Sequence, residues 1–397
     1  MDIENYIKNN FKKSVKKAID FCCFLLLIPS YLSGKEAIEK NMINKILLIN
    51  LQGIGDIIMT TPFLTALRKE FPKAEINYLC YKGNGDLLEG DTRINSVIKR
   101  NKDDILSLDF LETLKEVRRK KYDLCINLFP AQHSALLLAL SNARYKLGNL
   151  YCTKSTSNHL NVKKATKTWD IRQNAKNIAE QIELNEYDLT KLSVTISEET
   201  KRKVKEIFAK EGIKKQCIGI NPHATWISKN WPDTYWKKLF EEVIKKYKNN
   251  KIVIFGGSGD KEHTSVLLEQ IKKDKAYNET RIINLIGKLT LKQTAGALKE
   301  MDLFITTDSG LLHIALAAGT KTIGLFGVSD PSILVKGNQH VTVVSSYDQC
   351  PKKFQFNHNN EPPDWEQECM KKICVDIVLE KIQMIMKFEK QKHNFLK

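Results

Sequence analysis

Residues 306–320, TTDSGLLHIALAAGT, carry an acid, a hydroxyl and a histidine on a segment that is otherwise almost wholly apolar. The pattern predicts a buried helix that begins at Asp308 or Ser309, directly after a strand. The start of a helix exposes unpaired N–H groups and the positive end of the helix dipole, so it can hold an anion. Gly310 permits a ligand to approach the backbone, and Ser309 and His313 share one helix face. A diphosphate site is one interpretation; Asp308 as a simple N-cap and His313 as a core histidine is the other.

A second polar stretch, NPHATWISKNWP (221–232), follows another predicted strand. It contains Thr225 and Lys229, and a lysine ammonium can neutralise a phosphate as a point charge. A third turn, FGGSGDKEH (255–263), follows a further strand at the same predicted sheet edge, but it lacks the G-K-[ST] of a P-loop. The alternative is a polar loop whose Trp-Pro pair simply starts the next helix.

The turn QGIGD (52–56) follows the first predicted strand and carries Gly53, Gly55 and Asp56. The third glycine of a dinucleotide-binding fingerprint is missing because Ile58 stands there, which argues against a nicotinamide-dependent oxidoreductase. Asp56 could cap the following helix. Alternatively, it could face a cleft and act as a general base on an acceptor hydroxyl.

Strand and helix patterns alternate along the chain and restart near residue 200, which predicts two doubly wound α/β domains with parallel sheets. Ligands of such sheets bind beyond the carboxyl ends of the strands, and two facing domains leave a cleft where two substrates can meet. The predicted organisation is a basic and apolar N-terminal tail (1–40), two α/β domains (41–200 and 201–375) and a C-terminal helix (376–397) that could cross back to the first domain.

The 397-residue chain has a formal net charge of +17, which suits an anionic partner, although lysines spread over solvated faces would give the same value. Interleaved aromatic residues and compact arginine clusters are absent from the sequence, which argues against nucleic acid as a partner. Nine cysteines, an odd number without a paired framework, predict free thiols in a reducing compartment. Because no C-x-x-C pair is present, we predict no metal site.

The sequence contains no run of eighteen apolar residues, so it predicts no helix that spans a bilayer. The stretch KKSVKKAIDFCCFLLLIPSYLSG (12–34) joins a basic segment to a short apolar one. It could be an interfacial helix at the membrane, a helix packed on the body of the protein, or a signal peptide.

Four segments together resemble the ADP-heptose:lipopolysaccharide heptosyltransferase family, which is family nine of the glycosyltransferases. They are KILLINLQGIGDIIMTTPFLTALRKEFP, NPHATWISKNWP, IVIFGGSGD and DLFITTDSGLLHIALAAGTKTIGLFGVSDP. The resemblance covers about residues 43–375, and its most specific part is the D-[ST]-G-x-x-H stretch followed by G-x-x-x-P. It implies a fold of the GT-B type, with two Rossmann-like domains facing a central cleft. The acceptor would bind to the N-terminal domain and the nucleotide-sugar to the C-terminal domain.

The resemblance also implies an inverting, metal-independent transfer without a cofactor, and the sequence indeed lacks a D-x-D triplet. It implies that Asp56 is the base, in the acceptor-side turn with Gly53 and Gly55. The predicted donor site consists of Thr225, Lys229, Asp308, Ser309, Gly310 and His313. The donor would be a nucleotide-diphosphate sugar, ADP-linked in this family, and the acceptor a lipid-linked or anionic glycan such as the lipopolysaccharide core. We therefore expect a cytoplasmic enzyme, peripheral at the inner face of the membrane.

Two other classes remain open from the sequence. A sugar-nucleotide epimerase could share the fold and bind the donor without needing an acceptor. A non-catalytic glycan- or lipid-binding protein could dispense with Asp56, Lys229 and His313, all of which are present. The sugar itself stays open, because Trp226 and Ile227 occupy the donor loop where polar residues often occur in the family.

Overall fold

The computed structural model describes residue 14 and residues 38–395, except 103–106, 130, 150–158, 161–170, 185–186, 214–215, 273–278 and 352–366. Apart from residue 14, the stretch 12–34 lies outside the described residues, so its interpretations stay predictions. In the part of the chain that is described, no helix is long and apolar enough to cross a membrane. The chain divides into two compact units between Leu189 and Thr190.

The first unit is built on a six-stranded sheet in the order β3-β2-β1-β4-β5-β6. Its strands are β1 (Lys45–Ile49), β2 (Glu75–Tyr81), β3 (Ser96–Arg100), β4 (Leu124–Asn127), β5 (Tyr145–Asn149) and β6 (His159–Leu160). All neighbours are parallel except β6, which runs antiparallel to β5. The helices of this unit are α1 (Ile54–Met59), α2 (Thr61–Glu70), α3 (Leu108–Lys120), α4 (Gln132–Leu140) and α5 (Ile171–Gln181).

The second unit repeats this plan with the order β12-β11-β10-β7-β8-β9, in which every pair of neighbours is parallel. Its strands are β7 (Cys217–Asn221), β8 (Lys251–Ile254), β9 (Ile282–Asn284), β10 (Leu303–Thr307), β11 (Thr322–Phe326) and β12 (Val341–Ser345). Its helices are α6 (Glu198–Lys210), α7 (Asp233–Lys246), α8 (Lys261–Lys272), α9 (Leu291–Lys299), α10 (Gly310–Ala318), α11 (Pro331–Leu334) and α12 (Val375–Phe395).

The central strands of both sheets are continuous apolar runs because helices cover both of their faces. Every residue of β7, β10 and β11 is buried, and four of the five residues of β1 are buried. In both sheets the first strand lies beside the fourth, which is the strand order of the doubly wound fold. The predicted α/β class with two doubly wound Rossmann-like units is confirmed.

The helix boundaries follow local chemistry. The Ser197 hydroxyl accepts a hydrogen bond from the Thr200 N–H and caps α6. The C-terminal helix α12 packs on α7 and on β10, β11 and β12 of its own unit. The indole N–H of Trp231, a fully buried residue, donates to the carbonyl of Ile373 just before α12 and ties the two segments together.

The prediction that the cysteines are free thiols is wrong for one pair, because Cys350 and Cys369 form a disulfide. Their Cα atoms lie 5.2 Å apart although the residues are 19 positions apart in the chain. Both cysteines pack with Val328 in a small buried cluster after β11, and this packing brings them together. Three of the free cysteines in the described segments are buried, and Cys374 is exposed.

Candidate active site

The polar residues of the second unit gather where β7 lies beside β10. Connections from these two strands leave in opposite directions along the sheet, so a crevice opens beyond their carboxyl ends. The parallel register pairs Asn221, the last residue of β7, with Thr306 near the end of β10. The loop that follows β7 and the start of α10 therefore meet at one place.

Lys229 and Asp308 form an ion pair at this place. Lys229 ends a short 3-10 helix (Ile227–Lys229), and the Asn230 side chain closes the loop by accepting from the Ala224 N–H at 2.6 Å. The Lys229 Nζ lies 2.7 Å from Asp308 Oδ2, with 20% and 8% of the two side chains exposed. The fold thus brings together two residues that the sequence analysis assigned separately to the donor site. Thr225 lies on the same loop with its side chain exposed.

The Asp308 carboxyl is held in its charged form. Burial by itself would raise its pKa, but the charges of Lys229 and His313 and hydrogen bonds from Lys229 and Ser329 outweigh burial and lower the pKa. A buried carboxylate of this kind can fix the position of a lysine ammonium, whereas it would repel an anionic ligand. Asp308 is therefore suited to orient Lys229 rather than to touch a diphosphate itself.

Helix α10 begins at Gly310 and has Ser309, in an extended conformation, as its N-cap residue. Asp308 is therefore not the N-cap, so the part of the alternative interpretation that made it a cap is wrong. The Ser309 side chain does not cap the helix; its oxygen lies 3.0 Å from Asn221 Nδ2 and 3.2 Å from Thr306 Oγ1. The first-turn N–H groups of α10 are thus not capped by this hydroxyl and can serve an anion. His313 is buried one turn later, within electrostatic reach of Asp308.

Asn221 is a site residue that the sequence analysis missed. Its side-chain amide donates to the His223 carbonyl, to Thr306 Oγ1 and to Ser309 Oγ, at 3.0, 3.1 and 3.0 Å. It thereby joins the loop after β7 to the start of α10. The signal was present, since Asn221 and Thr306 are polar residues at the ends of two otherwise apolar strands.

His223 was also missed, and it links the same loop to α8. Its Nε2 lies 2.6 Å from Thr264 Oγ1, and its ring stands 4.6 Å from the ring of His263, which in turn contacts Asp233 at 2.8 Å. Burial lowers the pKa of His223 to about 4; the His263 charge adds to this, while Asp260 and Asp233 oppose it. The imidazole is therefore neutral at physiological pH.

In the first unit, Asp56 occupies the third position of α1. Its Oδ2 accepts from the Gly53 N–H at 3.1 Å, so the carboxylate does cap this helix. Asp260 makes the same bond with Gly257 at 2.7 Å after β8. The side chain of Asp56 is half-buried, and a carboxylate has further lone pairs, so capping leaves room for a second hydrogen bond. Gly55 lies within α1 rather than in a turn, because the helix begins at Ile54.

In the described segments, no group of three or more histidine, cysteine, aspartate or glutamate side chains is arranged to hold a metal ion.

Residues 110–363 match the sequence profile of glycosyltransferase family 9 (heptosyltransferase). The chain is 26% identical to lipopolysaccharide heptosyltransferase 3 of Escherichia coli over 289 residues, which is 70% of this chain and 81% of that protein.

Two solved structures share the fold. The crystal structure of the glycosyltransferase family 9 protein from Veillonella parvula DSM 2008 superposes with a TM-score of 0.70 at 25% identity, over 88% of this chain and 98% of that one. The E. coli ADP-heptose lipopolysaccharide heptosyltransferase II gives a TM-score of 0.62 at 20% identity, over 87% and 99%. The fold is therefore the one that heptosyltransferases of the GT-B type have, and the chain belongs to glycosyltransferase family 9 and is a glycosyltransferase.

Proposed function

We propose that this enzyme transfers a heptose from ADP-heptose to a lipopolysaccharide-core or related cell-surface glycan acceptor. The observation that carries the proposal is the Lys229–Asp308 ion pair beside the start of α10, where the N-cap side chain makes no capping bond. It is supported by relatives whose names give lipopolysaccharide as the acceptor and, in one case, ADP-heptose as the donor.

The donor diphosphate would lie against the first turn of α10. The N–H groups at Ser309 and Gly310 and the Lys229 ammonium offer positive charge to it, and Thr225 and His313 lie on the adjoining loop and helix. Because charge builds up on the diphosphate as the sugar leaves, these donors act most strongly in the transition state. They supply the neutralisation that a divalent cation provides in other transferases, so we propose a metal-independent reaction without a cofactor.

Asp56 would remove the proton from the acceptor hydroxyl as this attacks the anomeric carbon. The oxygen–carbon bond forms on the face opposite the departing ADP, so the anomeric configuration is inverted. Gly53, whose N–H fixes one carboxylate oxygen of Asp56, leaves the space beside the carboxylate open because it has no side chain. We place the acceptor in the first unit and the donor in the second.

We further propose that the enzyme works at the inner face of the cytoplasmic membrane, where a lipid-linked acceptor would be presented. The net charge of +17 favours an anionic lipid surface. The basic and apolar stretch 12–34 would supply the contact.

The test is a thermal-stability panel of ADP, UDP, GDP and their sugars, followed by transfer from the best donor to truncated lipopolysaccharide. A ligand of the folded state raises the melting temperature with its concentration. We expect ADP and ADP-heptose to give the largest shifts, with both shifts reduced in Ser309→Ala. NMR of the product would give its anomeric configuration, and a chelator should leave the rate unchanged.

Each part of the proposal can fail separately. A larger shift with another nucleotide would remove ADP-heptose as the donor but keep the fold and reaction class. Turnover of the donor without any acceptor, to an isomeric nucleotide-sugar, would instead identify an epimerase. Absence of binding throughout the panel would end the assignment of the donor site.

A further inference from the structure

Trp226 stands three residues before Lys229 in the loop after β7. The Lys229 N–H donates to the Trp226 carbonyl at 3.0 Å, which folds the loop into a tight turn. This turn places the Lys229 Nζ over the indole, 5.5 Å from the ring. The indole is half-buried, so the contact is partly shielded from water.

The lysine ammonium is thereby held by two different partners. Asp308 accepts one hydrogen bond at 2.7 Å, and the face of the indole attracts the charge through its quadrupole. A free lysine side chain has four rotatable bonds and loses much of its entropy when it is fixed in one place. Contacts from two partners provide this ordering before a ligand arrives.

The chemistry of the ring is important here. A lysine ammonium has three N–H donors, and Asp308 uses one of them. A hydroxyl or carboxyl side chain in place of Trp226 would accept a hydrogen bond from a second N–H of the ammonium and would compete with phosphate oxygens for it. An aromatic face attracts the charge without a hydrogen-bond acceptor atom, so it does not compete with phosphate oxygens for the N–H groups of the ammonium.

We propose that Trp226 is a positioning residue that holds the Lys229 ammonium ready for the leaving diphosphate. The inference rests on the proposed transfer from a nucleotide-diphosphate sugar. It explains the presence of an aromatic residue in a loop that is otherwise suited to polar contacts with the donor.

The test is a double-mutant cycle with Trp226→Leu, Lys229→Ala and the combination, assayed for kcat and for the donor KM with ADP-heptose. Trp226→Leu should lower kcat by between about 2-fold and about 30-fold, which is the range of a cation–π contact. The donor KM should change by less than about 2-fold, because the contact serves the developing charge. In the Lys229→Ala background the same substitution should change kcat by less than about 2-fold.

Two further variants separate positioning from loop packing. Trp226→Phe keeps an aromatic face and should restore most of the kcat lost in Trp226→Leu. Ile227→Ala truncates the adjacent side chain of the same loop, which is 64% exposed, and should lower kcat clearly less than Trp226→Leu does.

An equal loss of kcat from Trp226→Leu in both backgrounds would overturn the inference, since the ring would then act independently of Lys229. So would a Trp226→Phe variant as impaired as Trp226→Leu, or an Ile227→Ala variant that matches it. Calorimetry with ADP keeps this failure distinct from that of the proposed function. If the wild-type protein gives no heat with ADP, both the proposed function and the role of Trp226 are wrong. If ADP binding and transfer are normal but the effects of the Trp226 and Lys229 substitutions on kcat are additive, only the role of Trp226 is wrong.

Discussion

The two units place an asparagine at the same point of the same strand order, yet they surround it differently. Asn50 directly follows β1, and its amide donates to Tyr78 OH at 2.9 Å and, more weakly, to Thr60 and the carbonyl of Asp56. Asn221 ends β7, and its amide donates to the loop after β7 and to the start of α10. The first asparagine is thus bound into a neutral core network, whereas the second lies beside an ion pair.

The two units also correspond at the residues that follow these asparagines. Two residues after each asparagine, a residue links the loop to the segment that follows the neighbouring strand. Gln52 does so through its carbonyl, which accepts from the Asn84 side chain at 2.7 Å, and His223 does so through its contact with Thr264. The strand order therefore determines where polar groups collect, and the residue types determine what they can bind. A carboxylate such as Asp56 suits a hydroxyl, and a cation such as Lys229 suits a diphosphate.

The largest test of this comparison is Asp56→Asn, which keeps the size of the side chain and removes its basicity. Loss of a general base should lower kcat by about 100-fold to about 10,000-fold. Asp260→Asn is the matched control because Asp260 makes the same capping bond in the second unit. It should lower the melting temperature by a similar amount and leave kcat within about threefold. Equal kcat values for the two variants would show that Asp56 caps α1 and is not the general base.

The second test is Lys229→Ala, which removes the cation from the second unit. Loss of a donor to the leaving diphosphate should reduce kcat/KM by about 100-fold to about 1,000-fold, and ADP affinity should also fall. Lys238→Ala is the control, since Lys238 pairs with Asp376 on the surface with 54% of its side chain exposed. A Lys229→Ala enzyme with wild-type kcat/KM would show that the start of α10 stabilises the charge of the leaving diphosphate without Lys229.

The third test replaces each of the two asparagines by alanine and compares the two variants. Asn50→Ala and Asn221→Ala each remove an amide from a buried network, so each should lower the free energy of unfolding by about 1–3 kcal/mol. Only Asn221→Ala should weaken ADP binding, measured by calorimetry at a temperature where both variants are folded. If Asn50→Ala weakened ADP binding equally, the functional difference between the two networks would be disproved.

The sequence alone predicts the class of fold because its central strands are short apolar runs followed by polar turns. Among the elements that it misses are β12 and α5, which are missed for different reasons. In β12 one of five residues is buried, so the strand lacks the continuous apolar run. The apolar residues of α5, Ile171, Ala175 and Ile178, do have helical spacing, but they lie in a stretch that is polar overall.

For the site, local patterns predict the residues but not their contacts. Lys229 and Asp308 are far apart in the chain, and their pairing depends on β7 and β10 being neighbours, which follows only from the complete strand order. The disulfide is missed for a similar reason. Nothing in the spacing of Cys350 and Cys369 indicates that their segments pack together after β11.

The smallest effect that we predict is a pH dependence of the free energy of unfolding. It should arise from His223 but not from Gln52, the corresponding linking residue of the first unit. Burial lowers the pKa of His223 from its ordinary value of 6.5 to about 4. Between these two values the unfolded chain takes up a proton that the folded chain does not, so the free energy of unfolding should fall as the pH falls. The loss should level off below about pH 4, and above about pH 6.5 the full stability should be present. Gln52 does not titrate, so the first unit carries no such contribution at this position.

His223→Gln gives the second unit the residue type that the first unit has at the corresponding position, Gln52. It should flatten the dependence of the free energy of unfolding on pH between about pH 4 and pH 6.5. Thr264→Val removes the hydroxyl beside the imidazole but keeps the ring buried, so it should lower stability by a nearly constant amount across the window. Urea unfolding followed by tryptophan fluorescence is a suitable measurement, because Trp231 and Trp236 are fully buried in this unit. A His223→Gln curve parallel to the wild-type curve from pH 7 to pH 4 would contradict the prediction. The loss would then come from groups other than His223, and the two linking positions would be equivalent after all.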